Sequence, residues 1–353
     1  MKTLYLDCGM GAAGDMLAAA LLELIPEKAE FVDKLNHVGI PGVEFMCEAS
    51  VKRGIKGTHI TVKVGGEKES EIPHSNENGQ HLHHDHIHLH NEEHTHHYSS
   101  MHAIEHIIEN LNVSEKVKND ILAVYSIIAQ AESHVHGVPV SQIHFHEVGT
   151  MDAVADITAV CMLLEYLSGE NVMVSPVNTG SGQVKCAHGI LPVPAPATAY
   201  ILQGIPFYSG EIKSELCTPT GAALLKHFAS DFGNMPVMKV SAIGYGMGEK
   251  DFENANCVRA LLGEADKECD TIVELVCNLD DMTAEAIGFA QERFFAAGAV
   301  EVYTTPVQMK KSRPGILLTV MCREKDRDPI IRLLFRHTTT LGVRENISRR
   351  YTL

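Results

Sequence analysis

Residues 271–278 read Thr-Ile-Val-Glu-Leu-Val-Cys-Asn, an alternating pattern that predicts a β-strand. The elements predicted after it are, in chain order, a helix at 283–297 with Gly298 as its C-cap, a strand at 300–308, a turn at 310–315, a strand at 316–322, a helix at 326–337 and a last strand from Gly342. This order is typical of a ferredoxin-like βαββα(β) fold. An open sheet of this kind often associates through an edge or a face, so we expect a homo-oligomer.

The chain before this fold predicts a different architecture. Its clearest elements are a strand at 3–7 and helices at 16–25, 113–134, 152–167 and 220–228. Alternation of strands and helices predicts a mixed α/β domain. With a linker at 263–270, we expect an α+β protein that has an α/β domain at 1–267 and the ferredoxin-like domain at 268–353.

Charge divides the chain in the same way. The formal net charge is −16, and residues 268–353 carry 12 acidic and 12 basic side chains, so the whole excess lies in residues 1–267. A negative charge repels nucleic acid and anionic membranes and attracts cations. We therefore expect neither nucleic acid nor a membrane as a partner of this protein.

Cysteine usage and hydropathy indicate the compartment. The chain has nine cysteines, an odd number without a Cys-x-x-Cys pair, which argues against a disulfide framework and a zinc ribbon. The longest apolar stretch, 157–164, is too short to span a bilayer, and no signal peptide is evident. The expectation is a reduced, cytoplasmic protein.

Histidine is concentrated in one segment. Of 21 histidines, ten lie in residues 74–97, between a predicted strand at 58–64 and a helix that begins near Ser100. The segment has little apolar content, so it predicts a weakly ordered inserted loop that collects metal ions. The candidate metal ligands in it are His83, His86, His88 and His90.

A glycine-rich turn follows the first strand. Asp7 and Asp15 bracket Gly9, Gly11 and Gly14. Glycines at the start of a helix let backbone N–H groups approach an anion, which predicts binding of a substrate phosphate. The two carboxylates favour a metal ion or a positively charged group. The alternative is a tight turn with solvated aspartates.

A second cluster combines imidazole and carboxylate groups. His144 and His146 form a His-x-His pair that a strand would place on one face, and Glu147 follows directly. Asp152 and Asp156 are spaced to lie on one face of a helix. Such ligands suit Zn, Ni, Fe or Mn, so these residues are candidates for metal binding or catalysis. A surface histidine pair without a function is the alternative.

Two further loops carry thiols. Cys186 and His188 lie in a Gly- and Pro-rich segment, and Cys217 precedes a Thr-Pro-Thr-Gly turn. His188 is a candidate substrate-binding residue, while a buried structural thiol is the commoner outcome for both cysteines.

The predicted hairpin of the last domain carries three cations. Lys310, Lys311 and Arg313 could bind a polyphosphate, and Asp280 and Asp281 could hold its divalent metal ion. The alternatives are a solvated basic turn and an aspartate that caps the next helix.

These motifs together resemble a known family. The segments that carry the resemblance are Tyr5–Met16, His144–Asp152, Gly180–Thr198, Thr218–Ala223, Asp280–Thr283 and Met309–Gly315. They resemble the nickel insertion proteins of nickel-pincer cofactor biosynthesis, over residues 1 to about 344. The resemblance implies a cyclometallase that inserts Ni²⁺ into pyridinium-3,5-bisthiocarboxylic acid mononucleotide, forming Ni–S bonds and one Ni–C bond.

The resemblance also implies partners and cofactors. It implies dependence on CTP with Mn²⁺ or Mg²⁺, CTP binding by the C-terminal domain, and apo lactate racemase or a similar enzyme as the recipient. Loss of a ring proton requires a base, so His144 and His146 are candidate transient nickel ligands, with Glu147 as the base and Asp152 beside them. A nickel chaperone or store and a metal-dependent nucleotide hydrolase remain alternatives.

Overall fold

The computed structural model describes residues 1–68, 100–143, 145, 148–167, 171–186, 189–265 and 270–350. The predicted histidine loop at 74–97, with His83, His86, His88 and His90, lies outside the described residues. So do His144, His146, Glu147 and His188. The chain divides into two compact units, Met1–Asp266 and Lys267–Leu353.

The first unit is built on a mixed sheet. Its strands are β1 (Lys2–Asp7), β2 (Val43–Lys52), β3 (Ile55–Val64), β4 (Glu67–Lys68), β5 (Asn171–Val174), β6 (Val177–Asn178), β7 (Gln183–Cys186), β8 (Gly189–Pro192), β9 (Phe207–Tyr208), β10 (Asp231–Phe232), β11 (Met238–Met247) and β12 (Cys257–Ala265). Eight of these described strands form one sheet in the order β10-β5-β1-β12-β11-β3-β2, with β4 paired to β3. Strand β1 is parallel to β5 and antiparallel to β12, so the ends of β1 and β5 open at the same edge.

Helices cover this sheet. They are α1 (Gly14–Leu22), α2 (Lys28–Asn36), α3 (Met101–Glu109), α4 (Glu115–His136), α5 (Met151–Leu167), α6 (Pro196–Ile201) and α7 (Pro219–Phe228). Helix α1 contacts β3, β11 and β12 and also helix α5. Both helices are mostly buried, and their apolar side chains form much of the hydrophobic core. This packing brings the first turns of α1 and α5 to the edge where β1 ends.

The second unit has the predicted ferredoxin-like order. Its elements are β13 (Asp270–Leu279), α8 (Ala284–Ala296), β14 (Ala299–Met309), β15 (Arg313–Cys322), α9 (Arg327–His337) and β16 (Arg344–Arg350). The strands pair antiparallel in the order β14-β15-β13-β16, and α8 and α9 bury Leu275, Phe294, Leu318 and Leu334 in a second core. The predicted α+β class and the βαββα(β) order are confirmed.

Three local predictions are wrong. Residues 263–265 are not linker, because Gly263 pairs with Thr3 of β1 and with Val240 of β11. Neither Asp280 nor Asp281 caps α8, because the Thr283 hydroxyl accepts the Ala286 N–H at 3.3 Å. Phe145, at the centre of the predicted His-x-His strand, lies outside the helices and strands.

Within the described residues, no helix combines the length and the hydropathy needed to cross a membrane.

Candidate active site

The turn between β1 and α1 is held by two neighbouring loops. The Cys8 N–H donates to the Ser175 hydroxyl at 2.9 Å, and the Asn178 side chain donates to the Gly9 carbonyl at 3.0 Å. On the other side, the Ala12 N–H donates to the Leu216 carbonyl at 3.0 Å. The turn is therefore fixed by loops that follow β5 and precede α7, at the carboxyl ends of the parallel strands β1 and β5.

Asp7 has both carboxylate oxygens in use. Its Oδ2 accepts from Arg259 Nε at 2.9 Å and also from Arg259 Nη2, while its Oδ1 accepts the Gly9 N–H at 3.1 Å. The hydrogen bond to Asp7 raises the pKa of the Arg259 guanidinium. Through these hydrogen bonds, Asp7 links β1 to β12 and to the turn. Arg259 is half-exposed, and sequence reasoning missed it because nothing in the sequence reveals the pairing of β1 with β12.

The glycines of the turn are explained by close packing. Gly11 has a φ of +81°, and a Cβ there would lie 2.0 Å from the Leu216 carbonyl oxygen. A Cβ on Gly14 would lie 2.6 Å from Asp156 Oδ2. The Gly11 N–H donates to the Cys8 carbonyl at 2.9 Å. The N–H groups of Gly9 and Gly11 both donate to acceptors within the protein. In this structure these two groups are therefore not available to a phosphate, contrary to the prediction that this turn binds one.

Three carboxyl groups lie in the region where α1 and α5 begin. Asp152 and Asp156 lie one turn apart on α5, as the sequence spacing predicts, and Asp15 lies in the first turn of α1. The Asp156 carboxyl is buried, at 8% exposure. Burial raises the pKa of Asp156 well above its ordinary value, and the negative charges of Asp15 and Asp152 raise it further.

Helix α4 places the aromatic side chain of Tyr125 beside this cluster. Tyr125 is fully buried, and its hydroxyl donates to the Val148 carbonyl at 3.4 Å. Burial is the main cause that raises the pKa of Tyr125, and the negative charges of Asp156 and Asp152 raise it further. The ring of Phe145 packs edge-to-face on Tyr125 at a centroid distance of 6.0 Å. Phe145 lies between His144 and His146 in the sequence. The side chain of Tyr125 therefore connects the acidic cluster with a residue of the segment that we predicted to bind a metal ion or to act in catalysis.

The thiols near the turn are buried. Cys8 and Cys217 are both inaccessible to solvent. Burial raises the pKa of Cys217 to about 12, and it raises the pKa of Cys8 strongly, with Cys217 as a further cause. Both thiols are therefore protonated at neutral pH, which supports the structural interpretation for Cys217. Cys186 is partly exposed at the end of β7.

In the second unit, one ion pair and one hydrogen bond involve the predicted nucleotide-binding residues. Arg313 Nη1 donates to Asp280 Oδ2 at 3.3 Å, across the ends of β13 and β15. The Thr339 hydroxyl donates to Asp281 Oδ1. Lys311 has a φ of +60°, an uncommon conformation for a residue with a side chain. Lys310 and Lys311 are exposed, and the hairpin brings them to the same end of the sheet as Asp280.

Among the described residues, no group of three His, Cys, Asp or Glu side chains has an arrangement that could hold a metal ion. Asp280 and Asp281 are therefore two carboxylates without a third ligand of these types in the described part. The predictions for His144, His146 and Glu147 stay predictions.

Comparison with known proteins decides the family. The family model for nickel insertion proteins matches residues 4–353. The chain belongs to the nickel insertion protein family. The family resemblance predicted from the motifs is confirmed, and so is the expectation of a nickel insertion function.

Individual members of the nickel insertion family are similar over nearly the whole chain. A pyridinium-3,5-bisthiocarboxylic acid mononucleotide nickel insertion protein of Clostridium kluyveri is 39% identical, covering 98% of this chain and 84% of the relative. A protein of the same name from Geobacillus kaustophilus is 38% identical, covering 98% and 83%. Among solved structures, the apo C-terminal domain of a cyclometallase involved in the synthesis of the NPN cofactor of lactate racemase is 40% identical. That match covers 23% of this chain and 57% of the other, with a TM-score of 0.23.

Proposed function

We propose that this protein is an enzyme that inserts Ni²⁺ into pyridinium-3,5-bisthiocarboxylic acid mononucleotide. The observation that carries the proposal is the likeness to relatives of that name, which extends over 98% of this chain at 38–39% identity. The reaction is a CTP-dependent cyclometallation of the lyase class, and its product is the nickel-pincer nucleotide for apo lactate racemase or a similar recipient.

The reaction sets two demands on the protein. Nickel forms two Ni–S bonds with the thiocarboxylates and one Ni–C bond with the ring carbon between them. The C–H bond at that carbon breaks, its electron pair goes to nickel, and its proton goes to a base. The site must therefore attract cations and also hold a proton acceptor close to the ring.

The acidic cluster of the first unit suits these demands. Asp15 and Asp152 lie at the edge where β1 ends, in the part of the chain, residues 1–267, that carries the whole net charge of −16. Their charge favours both Ni²⁺ and the pyridinium ring. We assign Asp152 to the reaction centre, with Glu147, His144 and His146 as the base and the transient nickel ligands. Imidazole and carboxylate bind nickel loosely enough to release it into the product, unlike a thiolate cage.

The second unit suits a nucleotide triphosphate. Lys310, Lys311 and Arg313 supply positive charge for the phosphates, and Asp280 and Asp281 offer the oxygen ligands that Mn²⁺ and Mg²⁺ prefer. A metal ion bound to a triphosphate keeps several waters and needs only one or two carboxylates from the protein. The pair Arg313–Asp280 would then exchange its internal contact for contacts with the phosphates and their metal ion.

Reconstitution tests the proposed function. Purified protein, precursor mononucleotide, Ni²⁺ and CTP with Mn²⁺ should activate apo lactate racemase, and omission of any one of them should abolish activation. Activation without the protein, or equal activation without CTP, would remove the corresponding part of the proposal. CTP turnover without nickel and precursor would instead favour a nucleotide hydrolase.

A further inference from the structure

Helix α3 has one buried face and one exposed face. The buried side chains, which pack in the core of the first unit, are those of Ile104, Ile107 and Ile108. The other face carries His102 and His106, which are both exposed, and 94% of the His102 side chain is accessible to solvent. The start of the helix is fixed, because the Ser100 hydroxyl accepts the Ala103 N–H at 3.3 Å. The two imidazoles therefore stand on a backbone that is anchored in the core.

The spacing of His102 and His106 suits a shared metal ion. Side chains at positions i and i+4 of a helix lie one above the other, with their Cβ atoms about 5–6 Å apart. Two imidazoles at this separation can bind one ion between them, each through a bond of about 2.0–2.1 Å, as in zinc sites. Imidazole is a good ligand for Ni²⁺, Cu²⁺ and Zn²⁺. A pair of metal ligands is thus in place without any rearrangement of the backbone.

The charges around the pair favour a cation. Glu105 Oε2 lies 3.9 Å from His102 Nδ1, and α3 itself contains no Lys or Arg. A carboxylate beside Nδ1 favours a proton on that nitrogen and leaves Nε2 as the atom that binds the metal. At the other end of the helix, the Lys118 ammonium donates to the Glu109 carbonyl at 3.1 Å and lies 3.1 Å from Glu115 Oε1. The positive charge of Lys118 is therefore already paired with a carboxylate.

We propose that His102 and His106 form a two-histidine binding site for Ni²⁺ on the surface of the protein. In the described part of the chain, no three His, Cys, Asp or Glu side chains are arranged to hold a metal ion, so water takes the remaining coordination positions. With only two protein ligands, the site releases the ion readily, as a metal that is cargo requires. It uses none of the residues assigned to the reaction centre, so its binding of Ni²⁺ does not depend on the insertion reaction.

The test must resolve single histidines, because residues 74–97 contain ten more. Diethyl pyrocarbonate modifies accessible imidazoles, and fragment-ion mass spectrometry of the digested full-length protein assigns each modified histidine. At controlled free Ni²⁺, the metal should protect His102 and His106 over the same range of concentration. In His102→Gln, the Ni²⁺ concentration that half-protects His106 should rise about ten-fold or more, because the second ligand of the chelate is lost. His106→Gln should weaken the protection of His102 in the same way.

The matched control is His37→Gln, which removes an exposed histidine that lies just after α2. It should leave the protection of His102 and His106 unchanged. The inference is overturned if Ni²⁺ protects neither histidine, or if His106 is protected equally in His102→Gln and in the wild type, which would give it a ligand partner other than His102. If the wild type never inserts nickel, the proposed function fails, while the protection pattern still decides whether this site exists.

Discussion

Asp7 and Arg259 are direct partners across β1 and β12, and the Arg259 guanidinium donates to Asp7 Oδ2 through Nε at 2.9 Å. The other oxygen of Asp7 accepts the Gly9 N–H. This ion pair closes the start of the turn that leads into α1, and the three carboxyl groups lie beyond the end of the same turn. The sequence predicted that Asp7 binds the substrate. In the structure its carboxylate instead holds the turn beside the proposed site.

The first prediction concerns this ion pair. The Arg259 side chain is half-exposed, so its attraction to Asp7 is screened by water and salt. Arg259→Met should lower the free energy of unfolding by less than about 1 kcal/mol, measured by urea denaturation, and the loss should shrink at high salt. A double-mutant cycle with Asp7→Asn isolates the pair. A coupling energy that does not change with salt would contradict this account.

The second prediction concerns Gly14. Gly14→Ala forces a methyl group into the Asp156 side chain, and overpacking of this kind costs about 1–3 kcal/mol of stability. The matched control is Gly288→Ala in α8, where a Cβ meets nothing within 4 Å. That variant should be stabilised by about 0.5–1 kcal/mol. Thermal melting compares the two, and equal effects would mean that α1 and α5 are not in close contact at Gly14.

The third prediction concerns the nucleotide site. Charge-assisted contacts to phosphate contribute about 1.5–3 kcal/mol each, so Lys311→Ala should weaken CTP binding by about ten-fold or more. Isothermal calorimetry with CTP and Mn²⁺ measures the dissociation constant. Lys325→Ala, at an exposed position elsewhere in the second unit, serves as the control. Unchanged affinity in Lys310→Ala, Lys311→Ala and Arg313→Ala alike would move the site elsewhere.

The fourth prediction concerns the histidine-rich segment. Deletion of residues 74–97 removes ten histidines and should lower the number of Ni²⁺ ions bound per chain, measured by equilibrium dialysis. Turnover at saturating nickel should survive, because the proposed centre uses other residues. Loss of turnover at saturating nickel would place the segment in the chemistry.

The order of helices and strands in the second unit was predictable because each element has its own local sequence pattern. The alternation at 271–278 and the glycine just after α8, Gly298 with a φ of +98°, are each recognised from a few neighbouring residues, and the confirmed order follows from such signals. The contacts that hold the proposed site in place were not predictable, because they join residues that are distant in the sequence. Asp7 and Arg259 are separated by 252 positions, and the contact of Gly14 with Asp156 follows from helix packing. The spacing of Asp152 and Asp156 indicated a shared face but not that Asp156 is buried.

Formation of the Ni–C bond is the step that distinguishes an insertion enzyme from a nickel carrier. The decisive measurement is mass spectrometry of the product formed by the purified protein from a precursor that carries deuterium at the ring carbon between the two thiocarboxylates. With Ni²⁺ and CTP present, the account predicts a product that has gained nickel and lost the deuterium. A nickel adduct that retains the deuterium, or no adduct at all, would contradict it.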